Sequence, residues 1–528
     1  MQVAMLTLDP SFRVGAVDPR LFGTFVEHMG RCVYTGIYEP GHPTADSDGF
    51  REDVLDLVRE LGPTVVRYPG GNFVSGYRWE DGIGAPDQRP RRLDLAWRTV
   101  ETNAVGVDEF AAWCRRAEVD PVMAVNLGTR GVQEAIDLLE YCNHPEGTAL
   151  SELRRANGAK QPHDIRTWCL GNELDGPWQV GHKTAYEYGR LAAETARAMR
   201  MVDPSIELVA CGSSNSSMPT FASWEATMLE ECYDLVDYVS MHTYYDPRTT
   251  DRASFLASSL DLEHMIESIV ATADHVGARV RSGRRLRLSV DEWNVWHQSR
   301  FPGQDHLSYD DTDPALIEDV YDVTDAVVVG SLLIALLRHA DRIGIACQAQ
   351  LVNVIAPIMT RAGGPAWRQT IFYPFAEASR WARGQVLRVE PRVERHSTAD
   401  HDDVPLIDSV ATWDEESATL TVLCVNRAEN DDVRLEMEAR AFPGLQLVDA
   451  SVLSHEDPAT TNTEAHPDAV LPRPLTEASV QDGRVTAVLP PVSWAVLRLT
   501  TSSSTHHPPA TSPAGTRQVT AVSDRLEN

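Results

Sequence analysis

Two apolar runs end in acids. RTWCLG passes into Asn172 and Glu173, and LRLSV passes into Asp291, Glu292, Trp293 and Asn294. Two carboxyl groups meeting at one neutral, polyhydroxylated substrate are the minimum kit for cleaving a glycosidic bond. One gives its proton to the leaving oxygen, and the other attacks or activates water. Alone, an Asn-Glu at a strand end is a cap or turn, and DEWN says little more. Together, at the ends of two separate strands, they point to a glycosidase. The aromatic neighbours Trp168 and Trp178 make the surroundings of Glu173 apolar and assign it the proton-donor role. Tyr244 and Arg67 are placed to hold Glu292 as the anion, which assigns it the nucleophilic role. Asp291 and Glu292 are adjacent, so strict strand alternation predicts that Glu292 faces the mouth and Asp291 the helical layer.

Other polar residues close the remaining apolar segments. Glu27, Arg67 and Asn72, Asn126, His242 and Tyr244, Asn294 and Gln350 each stand at a strand end. Amides, hydroxyls and a guanidinium are groups that hydrogen-bond sugar hydroxyls. His242 reads as a hydrogen-bonding residue, because no second His stands at metal-ligand spacing. YPGGN lacks the Lys-Ser/Thr of a phosphate cradle and reads as a tight turn that delivers Asn72. Trp97 offers either a sugar-stacking platform or ordinary packing. No metal or other cofactor is expected.

The elements that must position these residues are legible as alternation. Strands are predicted at 21–28, 64–71, 121–128, 165–173, 206–214, 236–245, 286–294 and 345–353, with helical patterns between them. Among these, SDGFREDVLDLVRELG has an acidic, Ser-rich start and stops at Gly62. Eight strands alternating with helices over residues 21–384 predict an α/β fold of the (β/α)8 TIM-barrel type, with the site at the C-terminal strand ends. A doubly wound sheet is the alternative, and it lacks a GxGxxG turn. Residues 385–500 change to short strands and turns, predicting an all-β, jelly-roll-like sandwich. The strands within 1–20 are expected to join that sandwich. The Ser-, Thr- and Pro-rich stretch 501–528 is expected to be a disordered tail.

The 528-residue chain carries 77 acidic against 47 basic residues, a formal charge of -30. That balance argues against nucleic-acid and anionic-membrane partners and suits a neutral substrate. Its eight cysteines form no CxxC pair, and neither a signal-peptide pattern nor a membrane-length apolar run is present, so a cytoplasmic location is expected.

Longer motifs, FGTFVEHMGRCVYTGIYEP, VVRYPGGNFVSGYRWEDGIG, WRTVETNAVGVDEF, CLGNELDGPWQVGHKTA, MHTYY, DEWNVW and AQLVNVIAPI, occur in order. They closely resemble the intracellular α-L-arabinofuranosidases of glycoside hydrolase family 51, over the barrel and more loosely to about residue 500. The resemblance implies retaining, two-step release of terminal arabinofuranose from arabinan, arabinoxylan or oligosaccharides. It places the acid/base on Glu173 and the nucleophile on Glu292. It places furanose binding on Glu27, Arg67, Asn72, Asn172, Tyr244 and Gln350, aromatic subsites on Trp97 and Trp178, and an active-site His at His242. It also implies no metal and a homo-oligomer, often a hexamer. The segment after strand seven, residues 298–322, resembles the family's variable loop. Another retaining barrel glycosidase, an endoglucanase or β-xylosidase, and a non-catalytic carbohydrate-binding protein are the competing readings.

Overall fold

Eight parallel strands close into a barrel whose order around the ring follows the chain. They are Gly23–Phe25, Val65–Tyr68, Asp120–Ala124, Thr167–Leu170, Glu207–Ala210, Tyr238–Tyr245, Arg287–Val295 and Ile343–Gln348. The computed structural model describes residues 2–309 and 314–501. The expectation for the tail therefore falls, beyond Thr501, outside the described residues. The β-branched, apolar runs form strands because both of their faces are covered, by side chains inside the barrel and by helices outside.

The first long helix, Glu52–Leu61, ends with Gly62 at φ 74°, the left-handed geometry that glycine adopts freely at a helix end. Its start differs from the expectation. The N-cap is Arg51, with no side-chain cap bond. The expected cap, Ser47 and Asp48, instead lies in a turn ahead of the helix, where Asp46 accepts from the backbone N–H groups of Asp48 and Phe50. Helix Ala185–Val202 follows a Thr184 cap, with a bond from the Glu187 N–H to the Thr184 hydroxyl.

Beyond the last barrel helix, Phe372–Trp381, the described chain is strand and turn. A seven-stranded and a four-stranded sheet enclose a separate apolar core that includes Leu6, Leu435 and Val485 on one side and Leu420, Val422 and Leu497 on the other. Strand Gln2–Thr7 pairs in parallel with Val433–Glu438, and Arg13–Ala16 pairs with Gln385–Leu387, so the chain start belongs to these sheets. Helix Val323–Arg338 is buried along nearly its whole length, which explains its lack of a polar face. It packs on barrel and sandwich at once. At Gly330 a Cβ would lie 2.4 Å from the Trp494 ring, so only glycine admits that approach.

One irregularity bears directly on the site. From Ser240 to His242 strand six advances two residues while strand seven advances three, from Ser289 to Glu292. Strand eight gives the same extra residue, Ala346 to Gln348 opposite Val290 to Trp293. Strand seven thus carries a β-bulge, which breaks side-chain alternation. Asp291 consequently does not meet the helical layer, as alternation predicted. It lies inside the barrel, with Oδ2 3.8 Å from Arg67 Nε and 3.7 Å from the Cys169 thiol, beneath the cleft that Glu292 faces.

Candidate active site

An open cleft of about 520 Å³ lies over the C-terminal strand ends, lined by Glu173 from strand four and Glu292 from strand seven among others. Strand four reaches it through a tight turn. Gly171 adopts φ 97° and Glu173 itself φ 44°, a left-handed conformation that costs an L-residue energy. The Gly176 N–H closes the turn on the Glu173 carbonyl, and Trp178 folds back over Gly176, where a Cβ would lie 2.5 Å from the indole. The indole N–H then donates to Glu173 Oε2 at 2.8 Å, and His242 Nδ1 lies 2.8 Å from Oε1. Trp168, expected beside Glu173, is instead fully buried, with its N–H on the Ile165 carbonyl.

Glu292 is held by three groups. Arg67 donates to Oε1 at 2.8 Å, Tyr244 donates to Oε2 at 2.7 Å, and His242 Nδ1 lies 3.6 Å from Oε2. Burial acts most strongly on this carboxyl group and favours its neutral form. The charges of His242 and Arg67, with the bonds from Tyr244 and Arg67, outweigh burial and hold Glu292 below the usual carboxylate range. Burial pushes His242 down, but the carboxylates of Glu292 and Glu173 carry it above its ordinary value. Tyr244 is raised well above the usual phenol range, first by burial and then by the charge of Glu292, and stays a donor.

The remaining predicted residues converge on the same place. Arg67 also donates to Asn172 Oδ1 at 2.6 Å, and its guanidinium lies over the Phe25 ring. Asn72 Oδ1 accepts from Gln179 at 2.7 Å and faces Asn172 at 3.4 Å. Glu27 accepts from the Phe73 N–H at 2.9 Å, the Trp97 indole at 2.8 Å and the Gln350 amide at 3.3 Å. Trp97 therefore both lines the cleft and anchors Glu27. Burial, and then the charge of Glu292, push Glu27 up to about 8. Gly70 and Gly71 permit this crowding: a Cβ on Gly70 would lie 2.3 Å from Glu27 Cγ. On Gly71 it would lie 3.1 Å from oxygens of both Glu27 and Glu292.

Two strand-end amides do other work. Asn126 bonds Thr129, Gly128 and the Tyr77 carbonyl and holds its own turn. Asn294 donates to the Ala349 and Ile355 carbonyls, each at 2.6 Å, pinning the loop after strand eight. Conversely, Gln179, Trp296 and Phe301 belong to the site and were not singled out from sequence. Trp296 follows DEWN by two residues and Gln179 adjoins Trp178, so proximity to the motifs was the available signal. Part of the 298–322 segment lines the cleft through Gln298, Phe301, Gln304 and Ile317; residues 310–313 lie outside the described residues.

No metal-ligand spacing is visible along the chain, yet Glu173, His242 and Glu292 bring ligand-type atoms within 4.8 Å of one another. Both Glu292 oxygens already accept from Arg67 and Tyr244. A cation there would have to displace a guanidinium, so the arrangement suits sharing protons better than caging a metal.

A closed parallel barrel with acidic groups from strands four and seven in one sugar-sized, hydrogen-bonding cleft defines a barrel glycoside hydrolase. Two family models match the chain, the α-L-arabinofuranosidase 1 domain over residues 57–260 and the α-L-arabinofuranosidase C-terminal domain over residues 291–493. The chain is 58% identical over 501 residues to an intracellular exo-α-(1→5)-L-arabinofuranosidase of Streptomyces lividans, covering 94% of this chain and 75% of that protein. It is 53% identical to one from Bacillus subtilis, over 94% of this chain and 99% of that protein. The structure of a family 51 α-L-arabinofuranosidase from Bifidobacterium longum superposes with a TM-score of 0.91 at 48% identity, covering 94% and 99% of the two chains. The chain belongs to the α-L-arabinofuranosidases of glycoside hydrolase family 51.

Proposed function

We propose that this enzyme is an exo-acting, retaining α-L-arabinofuranosidase. It removes terminal non-reducing α-L-arabinofuranosyl residues from arabinan, arabinoxylan and arabino-oligosaccharides, with α-(1→5) links as first choice. Glu292 attacks the anomeric carbon while Glu173 gives its proton to the departing oxygen, and the old glycosidic bond breaks. Water then attacks the same carbon, Glu173 takes its proton, and the ester to Glu292 breaks. Arg67, Asn72, Asn172, Glu27 and Gln350 orient the furanose, and Trp97 and Trp178 flank it.

One observation carries the retaining assignment. One oxygen of Glu173 and one of Glu292 lie no more than 4.8 Å apart, a proximity that suits a retaining pair, at roughly 5–5.5 Å, better than an inverting one, at roughly 6.5–9.5 Å. The hydrogen bonds that hold Glu292 anionic support its nucleophilic role. The linkage preference rests on the names of the two relatives. The same relatives, named intracellular, support a cytoplasmic location. Assembly as a homo-oligomer, hexameric by resemblance, completes the proposal and is read by light scattering.

Proton NMR of nitrophenyl α-L-arabinofuranoside hydrolysis tests the chemistry. α-Arabinofuranose as the first product is expected, and β as the first product overturns retention. A panel of 1,2-, 1,3- and 1,5-linked arabino-oligosaccharides then reads linkage. Faster turnover of nitrophenyl xyloside or glucoside would transfer the assignment to another barrel glycosidase.

A further inference from the structure

Arg67 is completely buried, and one of its two counter-charges disappears in every turnover. In the resting enzyme its guanidinium faces Glu292 at 2.8 Å and Asp291 at 3.8 Å. Once Glu292 becomes an ester, it is no longer an anion. A buried guanidinium without a partner is strongly unfavourable, so something else must keep Arg67 charged and in place. The bulge in strand seven supplies it. With the extra residue, the neighbours Asp291 and Glu292 both reach the Arg67 guanidinium, at 3.8 and 2.8 Å.

We propose that Asp291 is the standing counter-ion of Arg67, a positioning residue that holds the guanidinium on Asn172 and beneath the sugar while Glu292 is esterified. This rests on the reading of Glu292 as nucleophile. Asp291 is 2% exposed and is fixed by the Ser289 hydroxyl and by the Cys169 thiol at 3.7 Å. Nothing about it is arranged to meet substrate, since it does not line the cleft. The other titratable groups around the pair are the thiols of Cys169, Cys211 and Cys347, all pushed upward by burial and therefore neutral. Above Arg67, Glu292 is faced by His242 and Tyr244, with Glu173 and Glu27 nearby. Asp291 is the largest influence raising Arg67, ahead of Glu292.

The test compares Asp291→Asn with Asp291→Glu. Removing the charge leaves Glu292 as the sole counter-ion of Arg67, which binds it more tightly and stabilises its anion. In Asp291→Asn the acid limb of kcat/KM should therefore move to lower pH by about one unit. kcat/KM itself should fall on the order of 100-fold, because the transition state for ester formation, in which Glu292 gives up its charge, has lost the buried counter-charge of Arg67. Asp291→Glu, which keeps the charge, should retain the wild-type limb with a smaller loss. An unmoved limb in Asp291→Asn, or equal losses in both variants, overturns the proposal. If Asp291→Asn does not fold, as judged by circular dichroism, Asp291→Ser carries the same expectation and the same refutation. Inversion by the wild-type enzyme would instead refute the nucleophile reading, and the two failures are separately visible.

Discussion

The indole N–H of Trp178 meets a carboxylate oxygen of Glu173 at 2.8 Å, although the tryptophan is 39% exposed. A surface aromatic is thereby tied directly to the proton donor, on a turn that places Glu173 in left-handed geometry. Trp178→Phe keeps a ring and removes the donor. Losing one hydrogen bond to the proton donor is expected to lower kcat/KM by roughly tenfold. The loss should be greater on an arabino-oligosaccharide than on the nitrophenyl glycoside, because a poor leaving group depends more on proton donation. Equal losses on both substrates would assign Trp178 to binding alone.

Gly71 is the point where Glu27 and Glu292 meet the backbone. A methyl there would press on Glu27 and Glu292 together at 3.1 Å. Displacing the nucleophile by a fraction of an ångström is expected to reduce kcat of Gly71→Ala by about 100-fold or more. Wild-type kcat in a folded Gly71→Ala would remove the glycine from the account.

Glu27 has an alkaline signature. Its folded-state value, about 8, lies above the ordinary glutamic acid value near 4.5. A group raised on folding contributes stability that is complete below its unfolded value and is lost as pH rises through its folded value. Wild-type Tm should therefore fall between about pH 5 and 8 relative to Glu27→Gln, which stays neutral. Thermal scans in which the gap between the two proteins is independent of pH would contradict this.

The clamp between barrel and sandwich has an acid signature. Asp408, on the sandwich strand Ile407–Asp414, accepts from Arg427 at 2.5 Å, from Ser331 at 3.0 Å and from Ser259 at 3.2 Å, and also pairs with Arg338. Burial alone would raise it, but Arg427 and Arg338 lower it to about 2. A depressed acid contributes stability that is present above its unfolded value near 3.8 and is lost as pH falls through its folded value. Between about pH 4 and 2 the wild type should lose about 2 kcal/mol from this group. Asp408→Asn leaves Arg427 buried without its partner and should be about 3 kcal/mol less stable at pH 7. Urea titration at about pH 7, 4 and 2 reads both.

The eight barrel strands were legible because β-branched apolar runs with polar ends mark strands buried on both faces, and the acids of strands four and seven sit at those ends. The bulge in strand seven was not, since one inserted residue changes side-chain direction without changing the polarity of SVDEWN. Asp291 was therefore assigned to the wrong side of the barrel wall. Gln179 reaches Asn72 only because the chain doubles back at Gly176, a tertiary event with no periodicity. Asp408 finds Arg427 and Arg338 across long stretches of chain, and charge composition does not encode such pairing.

The proposed role of Glu292 as the covalent nucleophile is read directly by peptide mass mapping. Enzyme quenched during turnover of a slowly released arabinofuranosyl donor should carry one arabinosyl ester, on the peptide containing Glu292, that disappears on further incubation. An ester on Glu173 or any other residue, or no ester while products accumulate with inverted configuration, would contradict it.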